Sequence, residues 1–94
     1  MIFGKLRIKG HSMEPTIKNG QTIFVSSLPY CFKKPKRNDI VALKKDDSVF
    51  VKRISKIENN TYFVMGDNVH DSMDSRRFGA IQEKHIMGKV LGNY

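Results

Sequence analysis

Residues 48–65, Ser48-Val49-Phe50-Val51-Lys52-Arg53-Ile54-Ser55-Lys56-Ile57-Glu58-Asn59-Asn60-Thr61-Tyr62-Phe63-Val64-Met65, decide the fold. Two runs rich in β-branched and aromatic residues flank Asn59-Asn60, a pair that tolerates left-handed backbone and so makes a hairpin turn. The reading is a long strand over 48–57 that returns as a second strand over 61–65. Outward from this hairpin, apolar residues again alternate or run in short stretches. Leu6 and Ile8 alternate with Lys5, Arg7 and Lys9 in a first strand ended by Gly10. A strand at Thr22–Val25 follows the turn pair Asn19-Gly20, and others are expected at Asp39–Leu43 and His85–Leu91. Residues 27–38, with Pro29 and Pro35, read as a solvated loop, as does the polar run Gly66 to Gly79. Helical periodicity is confined to a turn at Met13–Ile17. The expected fold is mostly β: a single small domain spanning residues 1–94, with antiparallel strands in a partly closed, barrel-like arrangement.

The bulk numbers agree. A chain of 94 residues makes one compact domain, and 39% hydrophobic with 28% charged residues is a globular composition. The single Cys31 excludes an internal disulfide, and with only three scattered His no metal or other cofactor is expected. The net charge is +8, concentrated in Lys33, Lys34, Lys36 and Arg37 and again in Lys44 and Lys45. Such a surface suits an anionic membrane face or nucleic acid, or simply keeps the protein in solution. No run approaches the roughly 20 apolar residues that cross a bilayer, and the start lacks a signal-peptide core. The chain as given is expected to be soluble, working in the cytoplasm or peripherally at a membrane through a partner, a further segment or its basic surface.

Three segments could carry chemistry. In Gly10-His11-Ser12-Met13-Glu14-Pro15-Thr16, a serine follows a strand and precedes a proline-stiffened turn, which holds its hydroxyl in a fixed, accessible place. Its amide could help to bind an oxyanion, although serine beside Gly and Pro equally serves as a plain turn or cap. Lys52 shares a strand face with Phe50 and Ile54, both of which favour burial. Burial disfavours the ammonium form and so makes a general base; the bland alternative is a lysine that snorkels from the strand edge. The third segment, 66–79, is dense in Asp, Asn, Ser and Arg but lacks the central Gly and closing Glu of a calcium loop.

Taken in order, these segments resemble the type I signal peptidase family of serine peptidases. The resemblance rests on Gly-x-Ser-Met-x-Pro-Thr at 10–16, Asp-Ile-Val at 39–41, Val-Lys-Arg at 51–53 and Gly-Asp-Asn-x-x-x-Ser-x-Asp-Ser-Arg-x-Phe-Gly at 66–79. It implies that Ser12 is the nucleophile, Lys52 the general base and Ser72 the hydroxyl that orients the lysine amine. It further implies that Asp74 and Arg76 form a supporting ion pair, that Gly66, Asp67 and Asn68 shape the adjoining turn, and that Met13 lines the substrate cleft. The implied activity is endopeptidase cleavage of a leader or signal peptide from a protein substrate, with no nucleic-acid partner. The chain departs from longer family members. No membrane anchor and no large extra β-domain is expected within these residues, and Gly10 stands where some members have a hydroxyl that serves as second oxyanion donor. In brevity it is most similar to the peptidases that mature nickel superoxide dismutase.

Other readings remain open on sequence. A Ser–His–Asp enzyme would use His11, His70 or His85. A self-cleaving repressor domain would carry a similar Ser–Lys site, but no helix-turn-helix pattern or Ala-Gly or Cys-Gly cleavage site accompanies it here. A non-catalytic basic module would need its phenylalanines exposed for stacking.

Overall fold

The computed structural model of the chain describes residues 3–68 and 80–92. The strands are β1 (Phe3–Arg7), β2 (Thr22–Ser26), β3 (Ile40–Lys45), β4 (Ser48–Glu58), β5 (Thr61–Met65), β6 (Ile81–Gln82) and β7 (Ile86–Val90). They form one sheet in the order β1-β2-β7-β3-β4-β5-β6, and its pairings are antiparallel. Two 3₁₀ turns, Leu28–Cys31 and Glu83–His85, complete the regular structure among the described residues. No helix of the described residues is long and apolar enough to cross a membrane.

The central hairpin forms as its residues dictate. Glu58 pairs with Thr61 across Asn59 and Asn60, whose φ values are 50° and 64°. Asp46 and Asp47, at 53° and 64°, close the hairpin between β3 and β4 in the same way. Two positive φ values match the turn to the right-handed twist of the flanking strands, and Asn and Asp tolerate that region best after Gly.

The sheet is buried on both faces along β3. Ile40 and Ala42 pack with Met13, Ile17, Ile23, Val25 and Val90, while Val41 and Leu43 pack with Ile54, Tyr62, Val64 and Ile81. Leu6 and Ile8, from the β1 end of the chain, join Val51 of β4 on the first cluster. Four strand spacings separate β1 from β4, about 19 Å in a flat sheet, so the sheet must be strongly curled. The curl stops short of a closed barrel, as a partly closed arrangement requires. β1 and β6 end the strand order without pairing with each other, and the sheet stays open. The physical reason is local: β6 has two residues and the β5 ladder on β4 begins only at Arg53, so no described strand bridges back to β1.

Candidate active site

The open side of the curl is a cleft. It has a volume of about 280 Å³ and is lined by Leu6, Arg7, Ile8 and Lys9, by Ser12 and Met13, and by Val49, Phe50, Val51 and Lys52. Consecutive residues on both strands line it, so it lies along strand edges, where side chains of both faces meet the backbone. This edge position brings Ser12 and Lys52 to one place. Lys52 follows the face of Phe50 and Ile54, in the second cluster, whereas Met13 packs in the first.

Lys52 is 3% exposed, as the alternation of its strand implies. It pairs with Val41 of β3 inside the sheet. Ser12 is half-buried, and Met13, beside it, is a core residue that also reaches the cleft.

The turn that carries Ser12 is pinned from within and without. Gly10 takes φ +99°, which a side chain would resist, and its N–H donates to Asn19 Oδ1 at 2.9 Å. The Ile17 N–H donates to the Met13 carbonyl at 2.9 Å, making the expected single helical turn. His11 Nδ1 lies 2.9 Å from Glu14 Oε2, and that contact is the main cause holding the Glu14 carboxyl below its ordinary value. From outside, the Asn68 N–H donates to the Ser12 carbonyl at 2.8 Å, and Asn68 Nδ2 donates to the His11 carbonyl at 3.0 Å. Asp67 accepts from the Thr16 hydroxyl at 2.6 Å. It also accepts from both Nε and Nη2 of Arg53, at 2.9 and 2.8 Å. This two-pronged guanidinium contact, assisted by Thr16, holds the Asp67 carboxyl below the usual carboxylate range against the opposing effect of burial.

Asp67 and Asn68 therefore sit against the Ser12 turn, and Gly66 is buried directly after β5, next to them in the chain. The structure adds two residues to which sequence assigned no task. Arg53, next to Lys52 in β4, and Thr16, in the serine segment, meet on Asp67. Both lie inside the quoted motifs, which was the available signal. Ser72, Asp74, Arg76 and His70 lie outside the described residues. Neither of the two described histidines lines the cleft: His11 faces Glu14, and His85 accepts the Gln82 N–H at 3.1 Å. Among the described residues no group of three or more His, Cys, Asp or Glu could hold a metal ion.

Comparison with known proteins identifies the family. The Peptidase S24-like family profile matches residues 4–91. The chain is 27% identical to Signal peptidase I V of Bacillus subtilis, over 95% of the chain and 84% of that protein. It is 29% identical to Signal peptidase I S of the same organism, over 93% and 74%. It is 31% identical to the human Mitochondrial inner membrane protease subunit 1, over 94% and 67%. The first of these alignments runs over 141 positions, more than the 94 residues of this chain, so that relative carries inserted residues. With residues 4–91 matched by the family profile and relatives of this kind, the chain belongs to the S24-like peptidases and is a member of the type I signal peptidase family.

Proposed function

We propose that this peptidase is a serine endopeptidase that removes a leader or signal peptide from a protein substrate, with Ser12 as nucleophile and Lys52 as general base. The observation that carries the reading is that a half-buried serine and a lysine only 3% exposed open on the same cleft. A buried amine is penalised when charged, so the neutral form that can accept a proton is favoured.

The mechanism follows from that pairing. The substrate chain lies extended between the outer edge of β1 and the first half of β4, adding main-chain hydrogen bonds to strand edges. Lys52 takes the Ser12 hydroxyl proton as Ser12 Oγ attacks the peptide carbonyl. The Ser12 amide steadies the tetrahedral oxyanion. Protonated Lys52 gives its proton to the leaving amine, and Lys52, neutral again, takes a proton from the water that then releases the acyl group. Ser72 orients the lysine amine, and Asp74 with Arg76 braces the segment that carries it. Met13 forms part of the cleft floor beside the nucleophile. Asn68, which grips the carbonyls of His11 and Ser12, fixes the backbone from which the nucleophile projects.

The test is incubation with candidate leader peptides and mass spectrometry of the cut position. Wild type should cut at one bond, while Ser12→Ala and Lys52→Ala should each abolish cleavage and remain folded. Undiminished cleavage by either variant would sink the dyad.

A further inference from the structure

The loop between β2 and β3 presents an apolar tip beside a block of cations. Phe32 is 82% exposed and Leu28 50%, the two most exposed large apolar side chains among the described residues. The single cysteine, Cys31, is exposed next to them. Lys33, Lys34, Lys36 and Arg37 follow at once and are exposed, and residues 27–38 contain no acid. The nearest acids are engaged. Asp39 accepts from the Tyr30 hydroxyl at 2.8 Å and the Lys36 N–H at 3.1 Å, and Glu83 lies 3.6 Å from Lys34.

The loop is held in shape while its tip points outward. Tyr30 packs on the second core cluster and Pro35 is buried, so alternate parts of the same loop face inward. The Leu28 N–H donates to Ser26 Oγ at 3.1 Å, and the Phe32 N–H donates to the Pro29 carbonyl at 3.3 Å. A structured loop loses little further entropy on docking. Core packing therefore does not account for Phe32, and solubility does not account for an apolar tip.

We infer that the Leu28–Arg37 loop docks the enzyme on an anionic lipid surface, with Leu28 and Phe32 entering the headgroup–acyl boundary and the four cations above meeting lipid charge. Apolar residues flanked by Lys and Arg are the chemistry of interfacial binding. Nucleic acid is disfavoured because Leu28 has no ring to stack on a base, which leaves one exposed aromatic where a strand-binding platform uses several. The inference is independent of which residues perform cleavage.

The lone thiol supplies the probe. Cys31 labelled with an environment-sensitive fluorophore should blue-shift on vesicles of phosphatidylcholine with phosphatidylserine, and stay unchanged on phosphatidylcholine alone. Co-sedimentation of unlabelled protein with the anionic vesicles should weaken roughly tenfold for Phe32→Ser, the order expected for one apolar side chain. Converting Lys33, Lys34 and Lys36 to Gln should weaken it roughly hundredfold, at about fivefold per cation. Both sets of substitutions are on the exposed surface, and cleavage of a soluble leader peptide should be unchanged in each. Ser12→Ala should bind vesicles like wild type, which separates failure of docking from failure of the dyad. Vesicle binding unaffected by Phe32→Ser and by the lysine substitutions would overturn the inference. So would a fluorophore that responds to single-stranded oligonucleotide and not to lipid.

Discussion

Lys52 is a costly residue to bury, and that cost is itself the evidence for a task. A lysine 3% exposed has surrendered most of its hydration. If its purpose were structural, an uncharged side chain of similar length should weaken the fold by leaving its surroundings mismatched. If its purpose is proton transfer, Lys52→Met should cut cleavage by about 10³-fold or more, while the thermal midpoint holds or rises as desolvation is relieved. Peptide cleavage and calorimetry on the same preparation distinguish the two. The pH profile is a second check: activity should climb with pH and level off below the ordinary lysine value of about 10.4. A break near that value would mean an amine that is not effectively buried. The burial of Lys52 was legible from Phe50 and Ile54 on either side of it, because strand alternation needs only local sequence. The tie from Arg53 through Asp67 to Thr16 was not, because it joins residues 14 and 51 positions apart.

At the level of elements, the Asn59-Asn60 hairpin was legible and the short pieces were not. Asn59-Asn60 announces its turn, and β4 and β5 follow within one residue of the expected ends. β6 has two residues, too few for any alternation to show. The 3₁₀ turn at Leu28–Cys31 lies in a stretch that Pro29 and the basic run mark as loop. β1 runs from Phe3 to Arg7, slightly earlier than the Leu6–Ile8 alternation suggests, yet the Ile8 N–H still donates to the Gln21 carbonyl at 2.8 Å. Gly88 carries no local signal in the sequence, although a packed interface depends on it. A Cβ there would lie 2.7 Å from the Ser26 backbone oxygen, where β7 meets β2. Backbone cannot retreat as a flexible side chain can, so Gly88→Ala should destabilise the fold by about 1–3 kcal/mol in denaturant titration. Asn60→Val, at φ 64°, should cost about 1–2 kcal/mol by the same measurement, since a β-branched residue resists the left-handed region.

For the whole molecule, the point at issue is what holds an open, curled sheet around its cleft. Curling brings the β1 end towards β4, and long-range packing of this kind leaves no periodic trace in a sequence. That is why β-rich character was legible but the open gap between β1 and β4 was not. Packing of Leu6, Ile8 and Val51 closes one side of the curl. The Ser12 turn is held across it by Asn68 and by the Thr16–Asp67–Arg53 tie. That tie titrates. The folded state lowers the Asp67 carboxyl, chiefly through Arg53 and with help from Thr16. A group lowered on folding contributes stability that is present above its unfolded value and lost as pH falls through its folded value. Stability should therefore be flat near neutrality and decline through the acid range, beginning near the usual carboxyl value of about 4. Asp67→Asn removes the titrating group, so its denaturant midpoint should be lower at neutral pH and should fall less steeply in acid. The same substitution loosens the turn that presents Ser12, so cleavage at neutral pH should drop even under conditions where the variant is fully folded. If wild type and Asp67→Asn instead lose stability in parallel through the acid range, the clamp at Asp67 is not what secures the Ser12 turn, and Asn68 with the packing of Met13 and Ile17 must hold it.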